Sequence, residues 1–439
     1  MNFPESVRYL LSLGRELAAP TQAATAKFNL ENITILARSL GHPEKKYPSV
    51  HIAGTNGKGS TAAFLESILR QAGYRTGLYT SPHLERINER IRLNGEEIPD
   101  DAFAAVFSQI HSNIEALLAA GTLRAHPTFF ECVTAIAFEY FAESGVKFAV
   151  FETGLGGRLD STNIVTPEVS VITRIDFDHE NFLGHSLPEI AAEKAGIIKP
   201  GAPVVIAGQR EEVRQVILSK AHEVDAPVIE TDRNFAIESQ QMVEGRVRAA
   251  VREISSGAQF KIAPQLAGRF QLQNALNALA SARVLKPTGV RISDSAIENG
   301  IAAAVWPGRI EKVHSHPDIY LDGAHNPSAA RELANFLKEN FPNRKIIMVF
   351  GALRDKAVDE IAGILFPLAT EVIFTEPHTS RSISALKLAE IAGHHATQFT
   401  VVPDSAQALA AALAIAAPSD IICITGSLYL VGELRRRAM

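Results

Sequence analysis

Cysteine is nearly absent: 439 residues contain only Cys132 and Cys423, far apart and each inside an apolar run. Buried free thiols in a reducing compartment follow more simply from that pattern than a disulfide framework. Basic excess is also missing. The 43 Lys and Arg face 48 Asp and Glu, a net charge of -5, so neither nucleic acid nor an acidic membrane is expected as a partner. No apolar run reaches membrane-spanning length. The N-terminal Met1-Asn-Phe-Pro-Glu-Ser6 lacks the basic-then-apolar order of a signal peptide, and a cytoplasmic enzyme is expected. Internal repeats and low-complexity tracts are absent too. What is present is a soluble composition, 46% hydrophobic and 21% charged, on a chain long enough for two domains.

The stretch Ser49-Val-His-Ile-Ala-Gly-Thr-Asn-Gly-Lys-Gly-Ser-Thr61 organises the rest. An apolar strand runs into Gly54, Gly57 and Gly59 around Lys58, and an amphipathic segment follows at once. Such a turn directs backbone N–H groups inward and opens a helix whose positive end suits phosphate. Lys58 adds a point charge, and Ser60 and Thr61 add hydroxyls. The generic phosphate-loop pattern fails here, because Gly59 follows Lys58 where Ser or Thr is required.

Helical spacing is predicted over 5–18 and 30–40, with Phe28 between them. A second strand, Thr76–Thr80, runs into Ser81-Pro-His-Leu84, and Asn94-Gly95 predicts a hairpin. Helices over 101–119 and 128–144 lead to strand 147–153, which ends at Glu152 and enters Gly154-Leu-Gly-Gly-Arg-Leu-Asp-Ser-Thr-Asn163. The strand at 169–173 ends likewise at Asp176-Phe-Asp-His179. Ser81, Glu152 and His179 therefore follow three different strands on the edge where Lys58 sits, the edge at which open α/β sheets hold ligands. Oxygen and imidazole donors beside phosphates suit a divalent cation, most simply Mg²⁺. A helix over 188–199 carries Lys194 among small neighbours; taken locally, this is a solvated lysine. Residues 203–262 include an antiparallel appendage, and 271–285 a helix bearing Asn274 and Asn277. Residues 300–308 read as a hinge. Beyond it, strands near 318–322, 345–350, 371–375, 398–402 and 420–425 alternate with helices near 327–339, 356–366, 384–392 and 405–416, a second, smaller α/β domain.

Together these motifs closely resemble one family, folylpolyglutamate synthase/dihydrofolate synthase, a branch of the Mur ligases. The carriers are Gly54-Thr-Asn-Gly-Lys-Gly-Ser60, Thr80-Ser-Pro-His83, Glu152 to Asn163, Asp178-His179, Glu193-Lys-Ala-Gly-Ile-Ile-Lys199, Trp306-Pro-Gly-Arg309 and Asp322-Gly-Ala-His-Asn-Pro327. They span nearly the whole chain, and Gly59 after the lysine is this branch's own form. The resemblance implies an N-terminal P-loop ATPase domain of Mur ligase type (1–300) and a Rossmann-like C-terminal domain (301–439). It implies an ATP-dependent ligase that joins L-glutamate to the γ-carboxylate of a folate; making dihydrofolate from dihydropteroate as well is the expectation, with a monofunctional folylpolyglutamate synthase as the alternative. By the same resemblance, Gly54, Thr55, Asn56, Gly57, Lys58, Gly59 and Ser60 hold ATP, as do Asn274, Arg309 and Asp322. Ser81, Glu152 and His179 bind Mg²⁺, with a monovalent cation such as K⁺ as a further candidate. Lys194 matches a carbamylated lysine, which reverses the local reading; Lys58, Lys194 and His179 form the catalytic set. Phe28, Thr128, Phe129, Phe130, Glu131, Leu159, Asp160 and Ser161 map to the pterin, and His325 and Asn326 to the cleft on the glutamate side. A monomer is expected.

The chemistry fits the residues independently. A carboxylate is a poor electrophile until phosphorylated, and its activation needs cations and N–H donors but no protein nucleophile. A Mur-type ligase for a UDP-sugar peptide is the alternative enzyme, opposed by a phosphate loop already beginning near residue 54. A nucleotide-binding switch is the alternative outside catalysis, opposed by Glu152, His179, Lys194 and the Asp322 motif.

Overall fold

The computed structural model describes residues 1–14, 29–285 and 291–439. Among these, eight strands form the larger sheet, in the spatial order Glu96–Glu97, Ile91–Leu93, Thr76–Tyr79, Phe148–Glu152, Ser49–Ala53, Val169–Ile172, Val204–Ile206 and Val228–Glu230. From Thr76–Tyr79 onward the strands are parallel, and the first two are antiparallel additions at one edge. Ser49–Ala53 and Phe148–Glu152 are buried at every position. Continuous burial is what parallel strands covered on both faces require, and it explains their unalternated apolar residues. Asn94 and Gly95 turn the edge hairpin with φ of 52° and 84°, the left-handed pair that a two-residue hairpin connection needs.

One face of this sheet is covered by Lys58–Gln71, Gln271–Val284 and Asp294–Ala303, which bury Phe64, Leu65, Ile68, Leu279, Ile297 and Ile301 over Val50 and Ile52. On the other face Asp100–Ala119 and Phe129–Glu143 pack Phe103, Phe107, Ile136 and Phe138 against Tyr79 and Phe151. The appendage is a three-stranded antiparallel sheet, Phe235–Val243, Arg246–Glu253 and Gln259–Ile262. Its inward residues Val247, Val251, Phe260 and Ile262 extend the core of the first face.

A third sheet follows the hinge, ordered Glu311–His314, Asp318–Leu321, Ile421–Thr425, Ile346–Phe350, Glu371–Glu376 and Phe399–Asp404. The five strands expected there are present and parallel. Two elements went unpredicted: the antiparallel edge strand Glu311–His314, which is short and half-exposed, and the last helix, Leu428–Ala438, which starts only two residues after a strand. The helix expected over 188–199 ends earlier, as Leu187–Ala195. Gly196 is pressed against Arg158, to which a Cβ would come within 2.4 Å, so the chain turns away to pack on the 154–163 loop. The first helix runs Phe3–Ser12, with Leu13 and Gly14 already beyond it; residues 15–18 of its expected span and Phe28 lie outside the described residues. Both cysteines are buried and free. Among the described residues no helix is long and apolar enough to cross a membrane.

Candidate active site

Strand Ser49–Ala53 delivers the glycine-rich stretch to the sheet's C-terminal edge, and Gly57, with φ 88°, caps the helix that begins at Lys58. Besides its left-handed backbone, Gly57 has no room for a side chain, since a Cβ would stand 2.2 Å from Asn274 Oδ1. Asn274 is thereby brought onto the loop. The Thr55 and Asn56 N–H groups are already paired within the protein. Both amides donate to the Arg174 carbonyl, at 3.0 and 3.2 Å, and the Thr55 hydroxyl donates to the Asp176 carbonyl at 2.9 Å. The neighbouring strand overruns the loop and claims these donors. An anion is left with the open end of the helix, from Gly57 to Ser60.

Two lysines converge on one oxygen. Lys58 Nζ donates to the Gly54 and Thr55 carbonyls at 3.2 and 3.3 Å, and Lys194 Nζ donates to the same Gly54 carbonyl at 2.8 Å. Lys194 is 4% exposed and, among the described residues, has no ion-pair partner. Burial, then the charge of Lys58, lower its pKa to about 7. Near neutrality about half of it is free amine, the form that can add carbon dioxide.

Glu152 stands at the end of its strand with Oε2 3.4 Å from the Ser81 N–H. Burial raises its pKa to about 6 against the opposing charges of Lys58 and Arg309. Thr80, Ser81, Glu152, Gly59 and Arg309 line a cavity of about 40 Å³, room for an ion or a water. A buried carboxylate with one long hydrogen bond beside a serine is the oxygen set a hard cation takes. His179 is placed differently. Its Nε2 lies 3.4 Å from Lys356 Nζ and its Nδ1 3.9 Å from an Asp355 oxygen. No hydrogen bond or ion pair joins it to Ser81 or Glu152 among the described residues. Of the three expected metal ligands, the structure brings two together, and the third is faced by a lysine from the C-terminal domain. Burial lowers the His179 pKa to about 3. The ring is therefore neutral; because the Lys356 ammonium can only donate, Nε2 is the acceptor and the buried Nδ1, which has no hydrogen-bond partner, carries the proton.

Two residues past Glu152, Phe130 lies on Gly154, where a Cβ would stand 2.6 Å from the ring. This brings the 128–131 and 154–161 segments together. Phe129 is buried beneath the Arg90 guanidinium, 5.3 Å from the ring centroid. Thr128 and Glu131 cap the helix reciprocally, with Thr128 N–H donating to Glu131 Oε2 at 2.7 Å. Burial raises the Glu131 pKa. Asp160 accepts the Gly154 and Leu155 N–H groups at 2.8 and 2.9 Å and the Thr162 N–H at 3.0 Å, so it braces its own loop. Leu159 and Ser161 flank it there.

From the C-terminal domain, Asp322 accepts the Ile310 and Ala324 N–H groups, both at 2.9 Å. Burial pushes its pKa up against the charge of Arg309. His325 Nε2 stands 3.6 Å from Asp178 Oδ2, and Asn326 Nδ2 donates to the same oxygen at 3.3 Å. Lys356 Nζ pairs with Asp178 Oδ1 at 2.8 Å. Asp178, Asp355 and Lys356 were missed as site residues. The available signal was a charged run, Arg354-Asp-Lys356, just past the end of a buried strand.

The chain matches the Mur ligase middle domain over residues 52–282 and the Mur ligase glutamate ligase domain over 308–428. It is 40% identical over 415 residues to a Bacillus subtilis dihydrofolate synthase/folylpolyglutamate synthase, covering 92% of this chain and 93% of the relative. Its structure is similar to Mycobacterium tuberculosis folylpolyglutamate synthase complexed with ADP, with a TM-score of 0.91 and 32% identity over 99% of this chain and 98% of the other. Escherichia coli FolC in complex with DHPP and ADP is also similar, with a TM-score of 0.86 and 31% identity over 100% and 97% of the two chains. With both Mur ligase domains matched and such relatives aligned along almost its whole length, this chain belongs to the folylpolyglutamate synthase/dihydrofolate synthase family of Mur ligases.

Proposed function

We propose that the chain is an ATP-dependent ligase that joins L-glutamate to the γ-carboxylate of a folate and also makes dihydrofolate from dihydropteroate and glutamate. The observation that carries this reading is the pair of lysines on the Gly54 carbonyl, Lys58 acting electrostatically on Glu152, while Gly59 of the same loop lines the 40 Å³ cavity with Ser81 and Glu152. Lys58 and the open helix end from Gly57 to Ser60 hold the phosphates, with Asn274, Arg309 and Asp322 around the nucleotide. The substrate carboxylate attacks the γ-phosphorus and ADP leaves. The glutamate amine then attacks the acyl carbon, and phosphate departs with the electron pair of the broken C–O bond. Lys58 and Arg309 stabilise the charge that develops, and no protein nucleophile takes part. Ser81, Glu152 and His179 would hold Mg²⁺, which when bound neutralises phosphate charge; for His179 this requires Lys356 to withdraw.

Thr128 to Glu131 and Leu159 to Ser161 form the pterin side, with Phe130 as aromatic surface and Phe129 buried beneath Arg90. Asp160 acts there through its loop. His325 and Asn326 face the glutamate side of the cleft. Lys194 is carbamylated in the working enzyme, a change its lowered pKa favours. The reading extends to a cytoplasmic monomer, with K⁺ as an accessory ion and with the domains meeting just after helix Asp294–Ala303, a few residues beyond the expected 300/301 boundary. Purified protein supplied with ATP and glutamate should form amide product from tetrahydrofolate and from dihydropteroate in parallel assays. Phosphate release only with a UDP-muramyl substrate would refute the ligase assignment. Extension of tetrahydrofolate alone would remove the second activity.

A further inference from the structure

The chain's one tryptophan, Trp306, follows helix Asp294–Ala303 at the hinge between the domains. Its indole lies directly on Gly59, in the first turn of the phosphate-loop helix. A Cβ at Gly59 would stand 2.7 Å from Trp306 Nε1 and 3.0 and 3.1 Å from its Cε2 and Cζ2. Gly59 is an ordinary helical residue, so space, and not backbone freedom, demands glycine there. The departure from the generic phosphate-loop pattern thus has a physical cause 247 residues away, in the hinge. The Arg92 guanidinium lies 5.4 Å from the indole centroid, within cation–π range. Trp306 and Arg309 both line the 40 Å³ cavity at Ser81 and Glu152 and also a 620 Å³ cavity between the appendage and the C-terminal domain. Arg309, three residues along the same hinge, acts electrostatically on both Glu152 and Asp322.

We infer that Trp306 is a positioning residue that ties the hinge to the phosphate loop. Phosphates settling on the start of the helix press on the indole through Gly59 and thereby set where Arg309 stands between the domains. This rests on the loop being the nucleotide site, which ADP calorimetry on the wild-type chain checks separately. Absence of ADP binding would end that assignment.

With ADP bound, Trp306 emission should change saturably, by at least a tenth, at the calorimetric Kd. Trp306→Phe, which removes all tryptophan emission, supplies the blank. ADP binding with flat emission would overturn the inference, and this measurement needs no folded variant. Gly59→Ala should weaken ADP at least tenfold. Adding Trp306→Leu should return the Kd to within threefold of wild type while kcat stays at least tenfold low, because the hinge is uncoupled. A double variant as weak as Gly59→Ala alone, or one with wild-type kcat, would contradict it.

Discussion

Asn56 and Asn326, 270 residues apart, exchange reciprocal amide hydrogen bonds, Asn326 Nδ2 to Asn56 Oδ1 at 3.0 Å and Asn56 Nδ2 to Asn326 Oδ1 at 3.3 Å. The same Asn326 Oδ1 accepts the Ala329 N–H at 2.8 Å, capping helix Pro327–Asn340. The phosphate loop is thus bonded to the cap of the helix that follows the first parallel strand of the C-terminal sheet. Asn326→Ala should cost about 1 kcal/mol as a lost cap and also reduce turnover. Asn326→Ser keeps a capping oxygen but cannot reach Asn56, so its melting temperature should stay near wild type while kcat falls. Thermal melts and turnover measured together separate the two effects.

Asp178 is the second tie between the domains. Burial alone would raise its pKa, but the charge of Lys356 and a hydrogen bond from His325 outweigh burial and hold it well below the usual carboxylate range. A depressed carboxylate contributes stability above its unfolded pKa, about 4, and that contribution is lost as pH falls through the folded value. Wild-type protein should therefore lose melting temperature below pH about 4 more steeply than Asp178→Asn. At pH 7 the variant should be less stable by roughly 1.5–3 kcal/mol, because buried Lys356 loses its short charged hydrogen bond and keeps only the longer pair to Asp355, at 3.8 Å. Equal stability at pH 7 would remove the clamp.

Glu152 has the opposite sign. Its folded pKa, raised to about 6 by burial, makes the ionised form costly, so the metal-free protein loses stability as pH rises through 6. Glu152→Gln should melt higher than wild type at pH 8 without metal, by roughly 2 kcal/mol. It should also lose the stabilisation that Mg²⁺ gives the wild-type protein. Melting curves with Mg²⁺ and with chelator test both halves.

For Lys194, carbamate formation needs the free amine. With a pKa of about 7, activity and its dependence on bicarbonate should both rise between pH 6 and 8. Lys194→Ala should be severely impaired and partly rescued by short-chain carboxylates. Wild-type activity in that variant would end the carbamate assignment.

Lys58→Ala removes the phosphate-facing charge and should lower kcat by about 10²–10³-fold, the size seen when one transition-state charge partner is lost. Near-normal turnover would show that the loop does not hold the transferring phosphate.

Elements whose signal is local were legible in the chain itself. The buried runs Val50 to Ala53 and Phe148 to Phe151, the turn at Asn94-Gly95 and the glycines around Lys58 each carry their period or backbone demand within a few residues. Because parallel strands share one C-terminal edge, that also placed Lys58, Ser81, Glu152 and His179 on the same side. The C-terminal helix was lost at its boundary, where only Gly426-Ser427 separates it from a strand.

What the sequence by itself determined, then, is the order of strands and helices, the edge that carries the chemistry, and the family. Only the tertiary structure decided which neighbours those residues have. The Arg174 carbonyl takes the N–H groups of Thr55 and Asn56, Lys356 stands at His179, and Lys194 is stripped of solvent beside Lys58. Gly59, a broken consensus in the text of the chain, is the seat of Trp306 in the fold. Each of these pairs joins residues over a hundred positions apart, and desolvation, charge and close contact act through space, where local periodicity carries no information.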